Sequence, residues 1–391
     1  MTSSRLVAAL ATAILSAAAV IPVANAGEAS GAAAAAATSL TPAAIPRIGA
    51  PDGTGGEYSK SFRSMGTYFE IRVALDGAIA QDDARAAVDE AFEIVARLDT
   101  LLSTYKPDSE ISIVNRNSGG GFTKVDPLVV AVLDSSLFYW NLTGGAFDVT
   151  VGPLMELWGF RGGRPRVPDR ERLADALARV GASGLEIDRS GSSVRLGRPG
   201  AGLDLGGIGK GFALDRAADV LRSRGITNAM LNSGGNLLFM GSAGGRPWSA
   251  GIADPRSPES VIARFEPGAS AVSTSGDYES YFIAGGVRYS HILDPRTGWP
   301  ASGVRSATVI APAATGADAL STAVLVMGAG PGMELVESIP GVEAVLITAP
   351  AGKGGAAGAE APARLAVSSG LSGKLELLGG ARLLTTPGVG R

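Results

Sequence analysis

The chain of 391 residues contains no cysteine. That absence excludes disulfides, thiolate metal sites, iron–sulfur clusters, a cysteine nucleophile and an acylated lipoprotein cysteine. Histidine is nearly missing as well, since His291 stands alone. A histidine-rich zinc centre is therefore excluded, and any metal must be held mainly by oxygen, as suits a hard ion such as magnesium or calcium. Nor is there an excess of either charge: 34 Lys and Arg stand against 37 Asp and Glu, a net charge of -3. Nothing electrostatic then favours nucleic acid or an anionic membrane surface as partner. What the chain has in quantity is apolar surface, with 46% hydrophobic and 18% charged residues. That suffices to bury a sizeable core and is too apolar for general disorder.

The first residues read as targeting rather than fold. Arg5, the apolar run from Leu6 to Val23 and the triplet Ala24-Asn25-Ala26 match the charged start, apolar centre and small-residue cleavage site of a secretory signal peptide. Cleavage after Ala26 is predicted, giving an exported, periplasmic or otherwise extracytoplasmic protein. An uncleaved leader serving as an anchor is the competing reading and the only route to membrane association. Residues 27–56 are rich in Ala, Gly and Pro without periodicity and read as a flexible tether. The folded domain is then 57–391, with a similar flexible insertion at 350–362 and a short apolar tail able to return as a last strand.

Within the domain, Val88, Phe92, Val95, Leu98 and Leu102 recur at helical spacing behind Asp82 and Asp83, which serve as cap and dipole partners. Asp126-Pro127 opens a second helix closed by Gly144, and Asp169 and Gly181 bracket a third. Further helices are expected at Gly209–Arg224 and Gly316–Met327. Strands are expected at Tyr68–Val73, Leu185–Ile187, Asn228–Leu231, Leu237–Met240, Tyr281–Ile283, Val287–His291, Ala307–Ile310 and Val342–Thr348. Hairpins interspersed with helices, without a βαβα rhythm, point to an α+β fold.

Five segments could carry chemistry. Leu203-Asp204-Leu205-Gly206-Gly207-Ile208-Gly209-Lys210-Gly211 leaves a strand and enters a helix, so its amides and Lys210 suit a phosphate or pyrophosphate. It is not a Walker A loop, because Asp204 and Gly211 stand where that pattern needs Gly and Ser or Thr; a tight turn with a solvated lysine is the bland alternative. Asp318 and Thr322 are four apart at a helix start and share a face, where they can offer magnesium a carboxylate and a hydroxyl or simply serve the helix dipole. Tyr289 to Gly298 runs a strand into an Asp-Pro-x-Thr-Gly turn that presents His291, although a lone histidine is commonly structural. Gly145–Pro153 and Leu102–Glu110 each set an aromatic beside carboxylates and a turn, a composition fit for a planar ring system or for a turn beside the core.

Together and in this order, Met65-Gly66-Thr67, Ser103-Thr104-Tyr105, Gly145–Pro153, Leu203–Gly211, Asn232-Ser233-Gly234-Gly235-Asn236, Ser290–Gly298 and Ala317–Thr322 resemble the successive motifs of the ApbE family of FAD:protein FMN transferases. The resemblance implies a T-fold-like α+β domain with mixed and antiparallel sheets and packed helices. It implies magnesium-dependent transfer of FMN from FAD, the substrate, to a threonine hydroxyl of an acceptor protein, forming a phosphoester and releasing AMP. FAD contacts are implied for Met65, Tyr105, Ala146, Phe147, Asp148, Asp204, Lys210 and the backbone at Ile292. The Gly207 carbonyl, Asp318, Ser321 and Thr322 become the magnesium shell. His291 is the candidate for orienting the acceptor or the ligand, and no general base follows from the residues alone. The same site would suit an FAD pyrophosphatase yielding FMN and AMP, and an exported FAD-binding module without turnover is the reading from a different class.

Overall fold

The computed structural model describes residues 56–75, 77, 79–348 and 363–384. The leader, all of the expected tether except Gly56, and the 350–362 insertion lie outside the described residues. In chain order, the hairpin β1 (Gly56–Ser64) and β2 (Thr67–Leu75) leads to α1 (Gln81–Leu102), α2 (Glu110–Arg116), β3 (Thr123–Lys124) and α3 (Pro127–Leu142). There follow α4 (Gly152–Trp158), α5 (Arg170–Leu177), β4 (Leu185–Asp188), β5 (Ser193–Leu196) and α6 (Gly209–Ser223). Next come β6 (Ala229–Ser233), β7 (Asn236–Met240), β8 (Ala250–Asp254), β9 (Ser257–Phe265), β10 (Ala271–Gly276), β11 (Tyr281–Ala284), β12 (Val287–Ser290) and β13 (Val304–Ala311). The last elements are α7 (Ala314–Met327), α8 (Ala329–Ser338), β14 (Glu343–Thr348), β15 (Arg364–Val367), β16 (Glu376–Leu377) and β17 (Arg382–Leu383). The fold is α+β, as expected.

A nine-stranded sheet in the order β1-β2-β6-β7-β10-β13-β14-β15-β17 is antiparallel except for the β15–β17 pair. Its inner strands bury both faces, which is why they read as nearly continuous apolar runs. Leu231, Ala307, Val309 and Leu346 face a core shared with α1, α6 and α7. Met230, Phe239, Ile310 and Val345 face a second core closed by the β8–β9 hairpin and Trp248. A third cluster gathers Leu154 and Trp158 of α4, Leu173 of α5 and Leu293, with Phe282 and Tyr289 of the separate β11–β12 hairpin stacked 5.3 Å apart against it.

Several expectations are corrected. Gly56, expected in the tether, already pairs with Leu75 in β1. The cap of α1 is Ala80, without a side-chain hydrogen bond, so Asp82 and Asp83 favour the dipole without capping, Asp82 also pairing with Arg85 at 3.1 Å. The helix carrying Asp318 starts at Ala314 rather than Gly316. Its free amides are met by Asp215 of α6, which accepts from Ala314 N at 2.8 Å and Thr315 N at 2.8 Å. Asp318 therefore lies beyond the first turn and is not needed there as a cap. The strand before His291 ends at Ser290. The apolar tail does return, as β15 on the edge of β14.

Candidate active site

Glycine sets the geometry where α6 meets α7. A Cβ on Gly211 would lie 2.2 Å from the Ala314 carbonyl oxygen and 2.8 Å from Asp318 Cβ, so only glycine lets the two helices touch here. In that contact Gly211 N–H donates to Asp318 Oδ2 at 2.9 Å. One turn earlier, a Cβ on Gly207 would lie 3.0 Å from Thr322 Oγ1 and 3.3 Å from Phe147 Cε2. The glycine-rich run, Phe147 and the Asp318–Thr322 face thus meet at one point. Asn115 braces the strand-like entry, its amide donating to the Leu203 carbonyl at 3.0 Å and accepting from Leu203 N–H at 2.6 Å.

A cleft opens at this point between the first and third clusters. It is lined by Ala146, Phe147 and Asp148, by Asp204, Gly207 and Lys210, by His291 and Ile292, and by Asp318 and Thr322. Segments far apart in sequence are thereby brought to one surface. Three expected residues do not line it. Ser321 lies just behind, fully buried, its hydroxyl engaged by Ser273, Ser275 and the Asp318 carbonyl. Met65 packs at the start of α6, its Cε 3.4 Å from where a Gly209 Cβ would stand. It occupies the β1–β2 turn at φ 49, ahead of Gly66 at φ 75, a left-handed pair that usually takes Asn-Gly and is strained for methionine. Tyr105 is 76% exposed, yet its hydroxyl end is partly desolvated and its pKa is raised, with Asp204 adding to the rise and Arg161 opposing it.

Charge in the cleft is arranged in opposing groups. Lys210 makes no ion pair among the described residues and stands in the first turn of α6, so an ammonium and the positive end of the helix dipole are offered to an anion, although the amides of Gly206, Ile208, Gly209 and Gly211 are already bonded to Asp204, Leu205 and Asp318. Asp318 is 3% exposed. Burial pushes its pKa up, while Lys210 and the Gly211 amide draw it down. The Asn236 amide lies near that carboxylate, and its nitrogen is buried without a hydrogen-bond partner. Asp204 accepts from Gly206 N–H at 2.9 Å and meets Arg161 at 3.4 Å. Asp148 spends its oxygens on Thr150 and Ala182, so it shapes the 146–150 loop, and burial raises its pKa against those hydrogen bonds. Phe147 is 3% exposed and underlies the glycine run instead of forming an open stacking platform.

No three His, Asp or Glu side chains gather as a metal cluster among the described residues. A hard divalent ion is nevertheless compatible with the wall: a desolvated carboxylate, a hydroxyl and the closely approaching Gly207 backbone supply oxygen donors of the kind magnesium takes, with room for phosphate oxygens to complete the shell. Opposite, the His291 backbone and ring both use the Ser280 carbonyl, N–H at 2.9 Å and Nδ1 at 3.1 Å. A carbonyl only accepts, so Nδ1 carries the proton and Nε2 keeps its lone pair. Burial lowers the His291 pKa, Glu279 opposing it, and the neutral ring is favoured at pH 7.

Sequence reasoning missed Thr274, Ser275, Glu279 and Met155, which also line the cleft. The run Ser273-Thr274-Ser275-Gly276 in an otherwise apolar strand was the available signal, because alternation sends Ser273 and Ser275 to one face, toward α7.

Solved structures share this architecture. The ApbE protein of Thermotoga maritima aligns with a TM-score of 0.72 at 34% identity, covering 82% of this chain and 99% of that one. The flavin transferase ApbE of Vibrio cholerae gives 0.71 at 33% identity with the same coverage. The fold is thus that of the flavin transferases. By sequence, the model of the ApbE family matches residues 65–346. A Vibrio cholerae protein named FAD:protein FMN transferase is 38% identical over 283 residues, 70% of this chain and 83% of that protein. One of the same name from Treponema pallidum is 34% identical over 311 residues, 74% and 84% of the two. The chain belongs to the ApbE family, the class of FAD:protein FMN transferases.

Proposed function

We propose that this chain moves FMN from FAD to a threonine hydroxyl of an acceptor protein, with magnesium required, AMP released, and the work done outside the cytoplasm. The observation that carries the reading is the pairing of Lys210 at the start of α6 with Gly207, Asp318 and Thr322 on one wall of a cleft whose other wall presents His291. Lys210 and the positive end of α6 hold the pyrophosphate. Gly207, Asp318 and Thr322 would hold magnesium, which supplies neutralisation of phosphoryl charge when bound. The acceptor oxygen attacks the FMN-side phosphorus, the bond from that phosphorus to the bridging oxygen breaks, and the electron pair leaves with AMP. His291 Nε2 accepts the hydroxyl proton or orients the hydroxyl by a hydrogen bond. Export rests on the leader sequence.

Incubating the mature protein with FAD, magnesium and an acceptor bearing a threonine in a small-residue context tests this by intact mass. The acceptor should gain one FMN as AMP appears in equal amount. Free FMN and AMP with an unmodified acceptor would indicate the pyrophosphatase, and FAD retention without turnover the binding module.

A further inference from the structure

The His291 tautomer depends on the Ser280 carbonyl, and Ser280 lies in a short connection, residues 277–280, between β10 and the isolated β11–β12 hairpin. A two-stranded hairpin is marginal on its own, so what fixes the connection matters. The inner face of the hairpin is anchored by Phe282 and Tyr289 against Trp158. The connection is anchored separately, from the far layer of the molecule. Arg256, in the β8–β9 turn, donates Nη1 to Asp277 Oδ1 at 2.8 Å and Nη2 to Asp277 Oδ2 at 2.9 Å. Arg256 is itself seated, its N–H donating to Asp254 Oδ1 at 2.8 Å, and Asp277 N–H donates to the Arg305 carbonyl at 2.8 Å. The β8–β9 hairpin closes the second core and lends no residue to the cleft lining.

We infer that the Arg256–Asp277 fork is a positioning device for the reaction: it holds the 277–280 connection so that the Ser280 carbonyl captures Nδ1–H of His291 and leaves Nε2 for the acceptor hydroxyl. A two-pronged guanidinium–carboxylate pair fixes orientation as well as distance, which a single hydrogen bond does not. Its partial burial, with side-chain exposures of 26% for Arg256 and 17% for Asp277, separates it from the freely solvated ion pairs that contribute little. The same connection carries Glu279 into the cleft, so the fork sets the place of that carboxylate too. The role in turnover rests on the function proposed above, whereas the role in fixing the ring does not.

The lone histidine makes the ring directly observable. In the full chain purified without a histidine tag and labelled with 15N-histidine, the imidazole gives one set of signals to assign. At about pH 7.5, where a histidine of lowered pKa is neutral, the parent should show the Nδ1-protonated tautomer. Arg256→Gln and Asp277→Asn should each convert it to a mixture in which Nε2–H is substantially populated, and Arg256→Lys should fall between. FMN transfer should drop about 10- to 100-fold in kcat with the KM for FAD within about twofold, and the double variant should be no worse than either single one. Removing the exposed Arg189–Asp134 fork by Arg189→Gln should change neither ring nor turnover. Retention of the parent tautomer in Asp277→Asn, or in a folded Arg256→Gln, would overturn the inference whatever the turnover. A converted tautomer in a protein that proves to be a hydrolase would leave the inference standing and remove the transferase reading.

Discussion

The two walls of the cleft are built on different principles. The helical wall, from Asp204 to Gly211 and from Ala314 to Thr322, is set by backbone contact: Gly211 against Ala314, Gly207 against Thr322, and Asp215 across the start of the neighbouring helix. Displacing any part would break close packing that extends into the main core. The opposite wall, from Asp277 to Pro295, is a connection and a two-stranded hairpin held by aromatic packing and by the Arg256–Asp277 fork. The lesson is a division of labour. On the function proposed above, the closely packed wall suits the pyrophosphate and a metal, whose ligands must be held closely, and the hairpin wall faces the acceptor protein.

That contrast can be broken by substitutions on each side. The largest effect is expected for His291→Asn, which should cut FMN transfer about 10²- to 10⁴-fold with FAD affinity nearly unchanged, as measured by single-turnover transfer beside FAD titration. Its pH profile carries the sign: the His291 pKa lies below its ordinary 6.5, so the parent should lose activity only as pH falls below that value, and the variant should lack this limb. On the helical wall, Lys210→Ala should weaken FAD binding about 10- to 100-fold, the loss of one charge-assisted contact to phosphate. Gly211→Ala should act on the fold, since its Cβ would meet backbone at 2.2 Å; a loss of about 1–3 kcal/mol in denaturant unfolding is expected, with the magnesium requirement rising in parallel. Thr322→Ala should have the smallest effect, about fivefold in turnover at limiting magnesium, because water can replace a neutral ligand.

Legibility in the sequence followed the same division. The helical wall could be read almost completely, since a tight glycine approach and a carboxylate–hydroxyl pair one turn apart are local patterns. What it concealed was depth: Ser321 shares the motif yet turns into the core, which depends on where β10 places Ser273 and Ser275. On the opposite wall the hairpin strands about Gly285-Gly286, His291 and Ile292 were legible. Glu279 and the Arg256–Asp277 fork depend on contacts between segments that no local period encodes. Among the elements, β1 escaped notice because an exposed edge strand with Lys60 and Arg63 shows little alternation beyond Tyr58 and Phe62. Helix α4 was hidden behind Gly152-Pro153, which read as a turn although proline belongs in a first helical turn.

The central claim, that metal and pyrophosphate belong to the helical wall and the acceptor to the other, is tested most directly by the magnesium concentration at half-maximal FMN transfer, measured side by side for the parent, Asp318→Asn and His291→Asn. The account predicts that Asp318→Asn shifts this midpoint upward at least about tenfold, through loss of the charged ligand, while His291→Asn lowers the plateau and leaves the midpoint in place. An unshifted midpoint in Asp318→Asn, or an equal shift in His291→Asn, would contradict it.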